Sequence, residues 1–169
     1  MKQLGLTLYN PEMAFPGYTL FAPLEGTNAY LLDMRGNIVH RWQLPYRPGD
    51  YGYLLENGNL LVGCHTGRSP VPFGGKGGIV MEMTWEGETL WEYVDDMLHH
   101  DFCRMPNGNT MVLGWELVPP DLAKRIKGGH PGTEHKAGIW SDYLREVTTA
   151  GETVWEWHAY QHLDPETDI

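Results

Sequence analysis

His99 and His100 are followed directly by Asp101, and then by Cys103 and Arg104. Imidazole serves as nucleophile, base or acid near neutral pH. A guanidinium matches the geometry of an oxyanion. A carboxylate beside a histidine can orient the ring through its N–H. Together these residue types suit acid–base or nucleophilic chemistry on an anionic ligand. His100 and Arg104 are the candidates for donor and clamp, with His99 and Asp101 beside them. The same residues also suit purely structural work, since a His-Asp pair can bond across to a neighbouring strand and an arginine can pair between sheets. If the stretch is a strand, alternation places His100, Phe102 and Arg104 on one face and His99, Asp101 and Cys103 on the other.

Further candidates lie outside this stretch. His130 and His135 flank Glu134 in a Gly/Pro-rich segment, but their spacing matches no zinc motif and no metal is expected. Lys124, Arg125 and Lys127 precede them and could attract an anionic substrate. His65 ends an apolar run. Gly74-Gly75-Lys76-Gly77-Gly78 lacks the Ser/Thr and the following helix of a phosphate loop, so that reading is rejected.

The elements that must position these residues are short strands. Twenty-one glycines, twelve prolines and many aromatics accompany a charged fraction of only 20%, which favours strands and turns over helices. Asn57-Gly58 and Asn107-Gly108 lie between apolar runs and predict hairpins with type I′ turns. Three segments align, Gly36 to Trp42, Gly87 to Tyr93 and Gly151 to Trp157, each with an aromatic six residues after its glycine. Four strands recurring every 45–50 residues or so is the pattern of a β-propeller blade. The predicted fold is therefore all-β: an arm over 1–16, then a partial propeller over 17–169. Its blades fall at 17–44, 50–94 and 99–158, with an inserted loop over 116–138 in which Asp121–Lys127 could form one short helix. The first blade lacks its innermost strand. Three blades are fewer than the roughly four to eight that close a ring, so the chain is expected to be half of a six-bladed ring. The other half is a second copy, a complementary half-propeller chain or a further part of the same gene product. The aromatics at 42, 91, 93, 155 and 157 read as packing between blades.

A formal charge of −10 and a pI near 5.1 argue against nucleic-acid or anionic-membrane binding through bulk charge. No apolar run is long enough to span a membrane and the first residues do not resemble a secretory signal, so the expected location is cytoplasmic. Cys64 and Cys103 cannot form a disulfide framework and are expected to be free, buried thiols. No cofactor is expected.

His99-His100-Asp101, followed by Met105-Pro106-Asn107-Gly108-Asn109 and later by Gly151-Glu152-Thr153-Val154-Trp155-Glu156-Trp157-His158, resembles the bacterial arylsulfotransferase family. Tyr30 to Trp42 is similar to that family's early blades. The resemblance implies a six-bladed propeller that moves a sulfuryl group between phenols without a nucleotide sulfate donor. It also implies a channel histidine that carries the group covalently, helped by other histidines and an arginine. His99, His100 and Arg104 are the positions that match, while the family's nucleophile lies in a later blade. On this reading His65, His130, His135, Arg125 and Lys124 line the substrate's approach, and the ligand is a small aromatic sulfate or another small anion. The alternatives are a non-catalytic propeller serving as a scaffold or ligand-binding module, and a propeller lyase.

Overall fold

The computed structural model describes residues 6–72, 74–127, 129, 132 and 135–167. Among them, eleven strands form three antiparallel sheets. The first holds β1 (Thr19–Phe21), β2 (Asn28–Leu32) and β3 (Ile38–Gln43). The second holds β4 (Arg47–Leu54), β5 (Leu60–His65), β6 (Gly78–Met83) and β7 (Thr89–Val94). The third holds β8 (Leu98–Arg104), β9 (Thr110–Leu117), β10 (Trp140–Val147) and β11 (Thr153–His158). Each sheet is a simple meander in chain order, and the sheets approach one another through β1 against β4 and β4 against β8. These are propeller blades 1 to 3, with β4 and β8 as the inner strands. In blade 1 the edge strand is β1, with no strand inside it among the described residues. The expected short helix is a single turn, α1 (Pro120–Ala123).

The hairpins differ from the expected type I′ geometry. In the β4–β5 turn the Gly58 N–H donates to Leu55 O, and the Leu55 N–H donates to Asn59 O. Gly58 has φ +85 while Asn57 stays on the negative side. That is a type I turn followed by one left-handed residue. The same pattern recurs at Asp33–Asn37, Thr84–Glu88, Met105–Asn109 and Thr148–Glu152, always with glycine in the fourth place. One left-handed residue per turn explains why a single glycine, rather than the Asn-Gly pair, is the constant feature. Asn57 and Asn107 instead accept the N–H groups of Asn59 and Asn109 through their side chains.

Blades pack face to face through alternate residues. Leu60, Val62 and Cys64 of β5 and Ile79, Met81 and Met83 of β6 point toward blade 1, where they meet Ala29, Leu31, Trp42 and Leu44. The opposite face of blade 2 presents Leu61, Val80, Tyr53, Trp91 and Tyr93 to Leu98, Phe102 and Val112 of blade 3. Each large aliphatic side chain buried this way contributes about 1.5–3 kcal/mol. Cys64 is buried in the first interface, and burial pushes its thiol up to about 12, so it stays protonated. Cys103 is exposed, contrary to expectation, because it lies on the outer face of blade 3.

Candidate functional site

The inner strands β4 and β8 are both broken near their starts. The pairing register of β8 with β9 jumps between Leu98 and Phe102, and that of β4 with β5 jumps between Pro48 and Gly52. These are matching bulges one repeat apart. In β8 the bulge overturns the expected alternation. Leu98 and His99 are both buried, His100 and Asp101 are both exposed, and alternation resumes only at Phe102. His100 has φ +53, the one non-glycine residue with positive φ among those described. A left-handed histidine costs roughly 1–3 kcal/mol unless its surroundings hold it.

Its surroundings do hold it. The His100 N–H, which the bulge removes from the ladder, donates to Asp50 Oδ1 at 2.9 Å and to Gly75 O at 3.2 Å. Asp50 occupies in β4 the place that His100 occupies in β8. It is mostly buried, and burial pushes its carboxyl up to about 6 against the opposing pull of the His100 N–H and imidazole. The glycine-rich loop exists to make room for these two side chains. A Cβ on Gly75 would collide with the His100 ring, and one on Gly77 would stand 2.5 Å from Asp50 Oδ2. A Cβ on Gly63, in β5, would meet the same oxygen at 3.0 Å.

His99 lies flat on Trp115, centroids 3.9 Å apart, and burial holds its pKa below the usual imidazole value. Its Nδ1 faces His100 Nδ1 at 2.9 Å, and its Nε2 lies 3.2 Å from Asp142 Oδ1 at an oblique angle. One proton must sit between the two Nδ1 atoms. The carboxylate beside His99 Nε2 favours a proton there, which makes His99 Nδ1 the acceptor and His100 Nδ1–H the donor. His100 Nε2 is then the atom left to exchange protons with a ligand.

The other expected residues are placed differently. Arg104 does not join His100. Its Nη2 donates to Glu82 Oε2 at 2.8 Å, its Nη1 donates to Gly108 O at 2.9 Å, and its guanidinium lies 4.8 Å from the Trp91 ring centre. Both partners of the ion pair are largely buried, so Arg104 is a clamp between blades 2 and 3. Asp101 orients no histidine; it accepts the Tyr51 hydroxyl at 2.7 Å and the Phe102 N–H. His65 is half-buried at the end of β5, where its Nδ1 accepts the Gly67 N–H. His135 is exposed and its Nδ1 accepts the Ala137 N–H. Lys124 and Arg125 are exposed, Lys124 pairing with Asp121 at 3.1 Å. His130 lies outside the described residues. No cluster of three or more metal-ligating side chains occurs among the described residues. Asp50, Asp142 and Trp115 were not singled out by motif, and Gly75 entered only through the rejected phosphate-loop reading. For Asp50 the signal was the repeat, which aligns it with His100.

Three consecutive antiparallel meander blades, the second and third with bulged inner strands, define this as a β-propeller protein. The chain belongs to the arylsulfotransferase family: residues 20–169 match the family "Arylsulfotransferase (ASST)". No curated protein matches the chain. Twenty chains of solved structures do. One is a protein of unknown function from Bacteroides caccae, with a TM-score of 0.50 and 16% identity over 89% of this chain and 47% of that one. At that identity the likeness concerns the fold alone, and this chain spans about half of that protein's length.

Proposed function

We propose that this chain supplies one side of an arylsulfotransferase channel, as half of a six-bladed ring completed by blades from outside residues 1–169. The observation that carries this reading is His100: an exposed imidazole on an inner-strand bulge, with Nδ1 tied to a buried, neutral His99. In the proposed reaction the sulfur–oxygen bond of an aryl sulfate breaks as sulfur bonds to a histidine nitrogen of a later blade. His100 acts in its imidazolium form, keeping the Nδ1–H that it donates to His99 and giving its Nε2 proton to the departing phenolate oxygen, which leaves it neutral. The reverse sequence delivers the sulfuryl group to a second phenol, whose proton returns to His100. His99 and Asp142 hold the ring and its tautomer. Arg104 keeps the blades in register and has no role in clamping the sulfuryl oxygens. His65, His135, Lys124 and Arg125 retain only the role of a polar approach to the channel.

A second reading, a non-catalytic propeller, draws support from the fact that Asp50, Asp101 and Arg104 are all spent on contacts between blades. Sulfate transfer from 4-nitrophenyl sulfate to phenol by the assembled ring separates the two. His100→Ala is expected to lower turnover by at least about tenfold, acid–base contributions being roughly a hundredfold or more. Unchanged turnover would leave His100 a structural residue and favour the scaffold.

A further inference from the structure

The outer face of blade 3 repeats the face of blade 2 that blade 3 itself covers. Glu82 stands across from Trp91 in β6–β7, and Glu146 stands across from Trp155 in β10–β11. Each carboxylate uses Oε1 to hold the asparagine that closes the neighbouring turn. Asn59 donates to Glu82 at 2.7 Å and Asn109 donates to Glu146 at 2.6 Å, with Asn107 adding a second donation to the same Glu146 oxygen at 2.9 Å. At Oε2 the two part company. Glu82 Oε2 accepts Arg104 from the next blade's inner strand, whereas Glu146 Oε2 accepts no hydrogen bond among the described residues. Trp91 lies under the Arg104 guanidinium, whereas Trp155 is 44% exposed. Beside Glu146, Cys103, Met111, Leu113 and Leu144 line an open cavity of about 130 Å³. At the equivalent place on blade 2, Phe102 packs with Leu61 and Val80.

Blade 1 shows that the acidic residue is not part of the blade frame. There the place of Glu82 is taken by Leu31, across from His40, and the incoming strand carries Leu54 where β8 carries Arg104. Within one chain, then, the place of Glu82 is apolar where the next inner strand carries Leu54 and acidic where it carries Arg104. A half-buried carboxylate on a docking face requires a cation from its partner, since an uncompensated buried charge is strongly destabilising.

We infer that this face docks a further blade whose inner strand carries an arginine two residues after an aromatic or aliphatic residue, and that a second copy of this chain is not the occupant. The inference rests on the half-ring reading and names which of its partners is used. In any copy the Arg104-bearing strand is already seated on its own blade 2, β4 carries leucine at the equivalent position, and blade 1 presents no inner strand. The occupant is thus a blade of different sequence.

The test uses the full chain and, as probe, a peptide with the sequence of Leu98–Asn109, the strand that seats on blade 2. Under reducing conditions, titration is expected to shift the tryptophan fluorescence saturably. Replacing the peptide's arginine by glutamine should weaken binding at least about tenfold, the range for a hydrogen bond to a charged group. Glu146→Gln in the chain should cause a similar loss, and the two changes together little more than either alone. Absence of saturable binding up to millimolar peptide, or equal binding of the glutamine peptide, overturns the inference. In sedimentation velocity, Glu146→Arg is expected to leave the association state of the chain unchanged. A self-dimer that this substitution dissociates would install a second copy as the occupant. Docking of the arginine strand without any sulfate transfer in the completed ring would count against the functional proposal and not against this one.

Discussion

The two blade interfaces use the same backbone arrangement and differ in their balance of apolar and polar contacts, the first pairing the ring nitrogens of His40 and Trp42 with Trp85 O and Thr84 O and holding one exposed Arg47–Glu25 pair. Between blades 1 and 2, ten buried residues make a continuous apolar cluster around Leu31, Trp42 and Met81. Between blades 2 and 3 only five residues are buried in the corresponding cluster. The difference is made up by polar contacts. Arg104 meets Glu82, Arg145 meets Asp95 at 2.9 Å and Tyr93 at 3.0 Å, and Tyr143 donates to Asp95. At the inner strands the same interface adds Asp50 to His100 and Tyr51 to Asp101. An apolar interface tolerates small shifts, because dispersion contacts have no strict direction. Hydrogen-bonded ion pairs do not, because they weaken with angle and distance. The directional interface is the one that carries the histidine pair, and it fixes where His100 stands relative to blade 2.

Breaking the Arg104–Glu82 pair should have the largest effect. Arg104→Ala leaves a largely buried carboxylate unpaired and is expected to cost about 3–5 kcal/mol in urea unfolding. Converting the site to the pattern of the other interface, with Glu82→Leu and Arg104→Leu together, should recover most of that loss. Recovery of stability without recovery of sulfate transfer would show that direction, rather than strength, is what the polar interface supplies. A double variant as unstable as Arg104→Ala alone would mean that the two interfaces are not interchangeable.

Asp50→Asn sharpens the comparison through pH. The Asp50 carboxyl titrates at about 6 in the folded chain, above its usual value, because burial penalises the charged form. The stabilisation from binding this proton is complete below the unfolded carboxylate's range near pH 4, and it is lost as pH rises through about 6. Asparagine keeps an acceptor for the His100 N–H and does not titrate. Relative to the parent chain, Asp50→Asn should therefore gain on the order of 2 kcal/mol between pH 4 and pH 7. A constant difference across that range would remove Asp50 as the titrating group of the interface.

Gly75→Ala should have the smallest effect on stability, about 1 kcal/mol, because it strains one left-handed loop position. Its methyl group occupies the place of the His100 ring, so the expected signature is displacement of the imidazole. NMR titration of His100 should show an altered ring environment with the global fold retained. An unchanged His100 resonance would show that the glycine loop does not seat the ring.

Much of the fold was legible in the sequence. Glycine at the fourth place of five tight hairpin turns and an aromatic six residues after three of those glycines report local geometry, and local geometry is written in local residues. His99 and His100 could be singled out by type, and β8 as the strand that carries them by its place in the repeat. What alternation could not reveal was the bulge. Its cause is nonlocal: Asp50, one repeat earlier, caps the freed N–H, and Gly75 and Gly77 clear the space. That bulge moved His100 away from Arg104, and Glu82 on another blade decided where Arg104 went. The sequence by itself determined the blades, their order and the residue types brought to the inner strand. Only the tertiary structure decided which of those residues are spent holding blades together and which is left exposed, because that division depends on partners some 20 to 50 residues away in the chain.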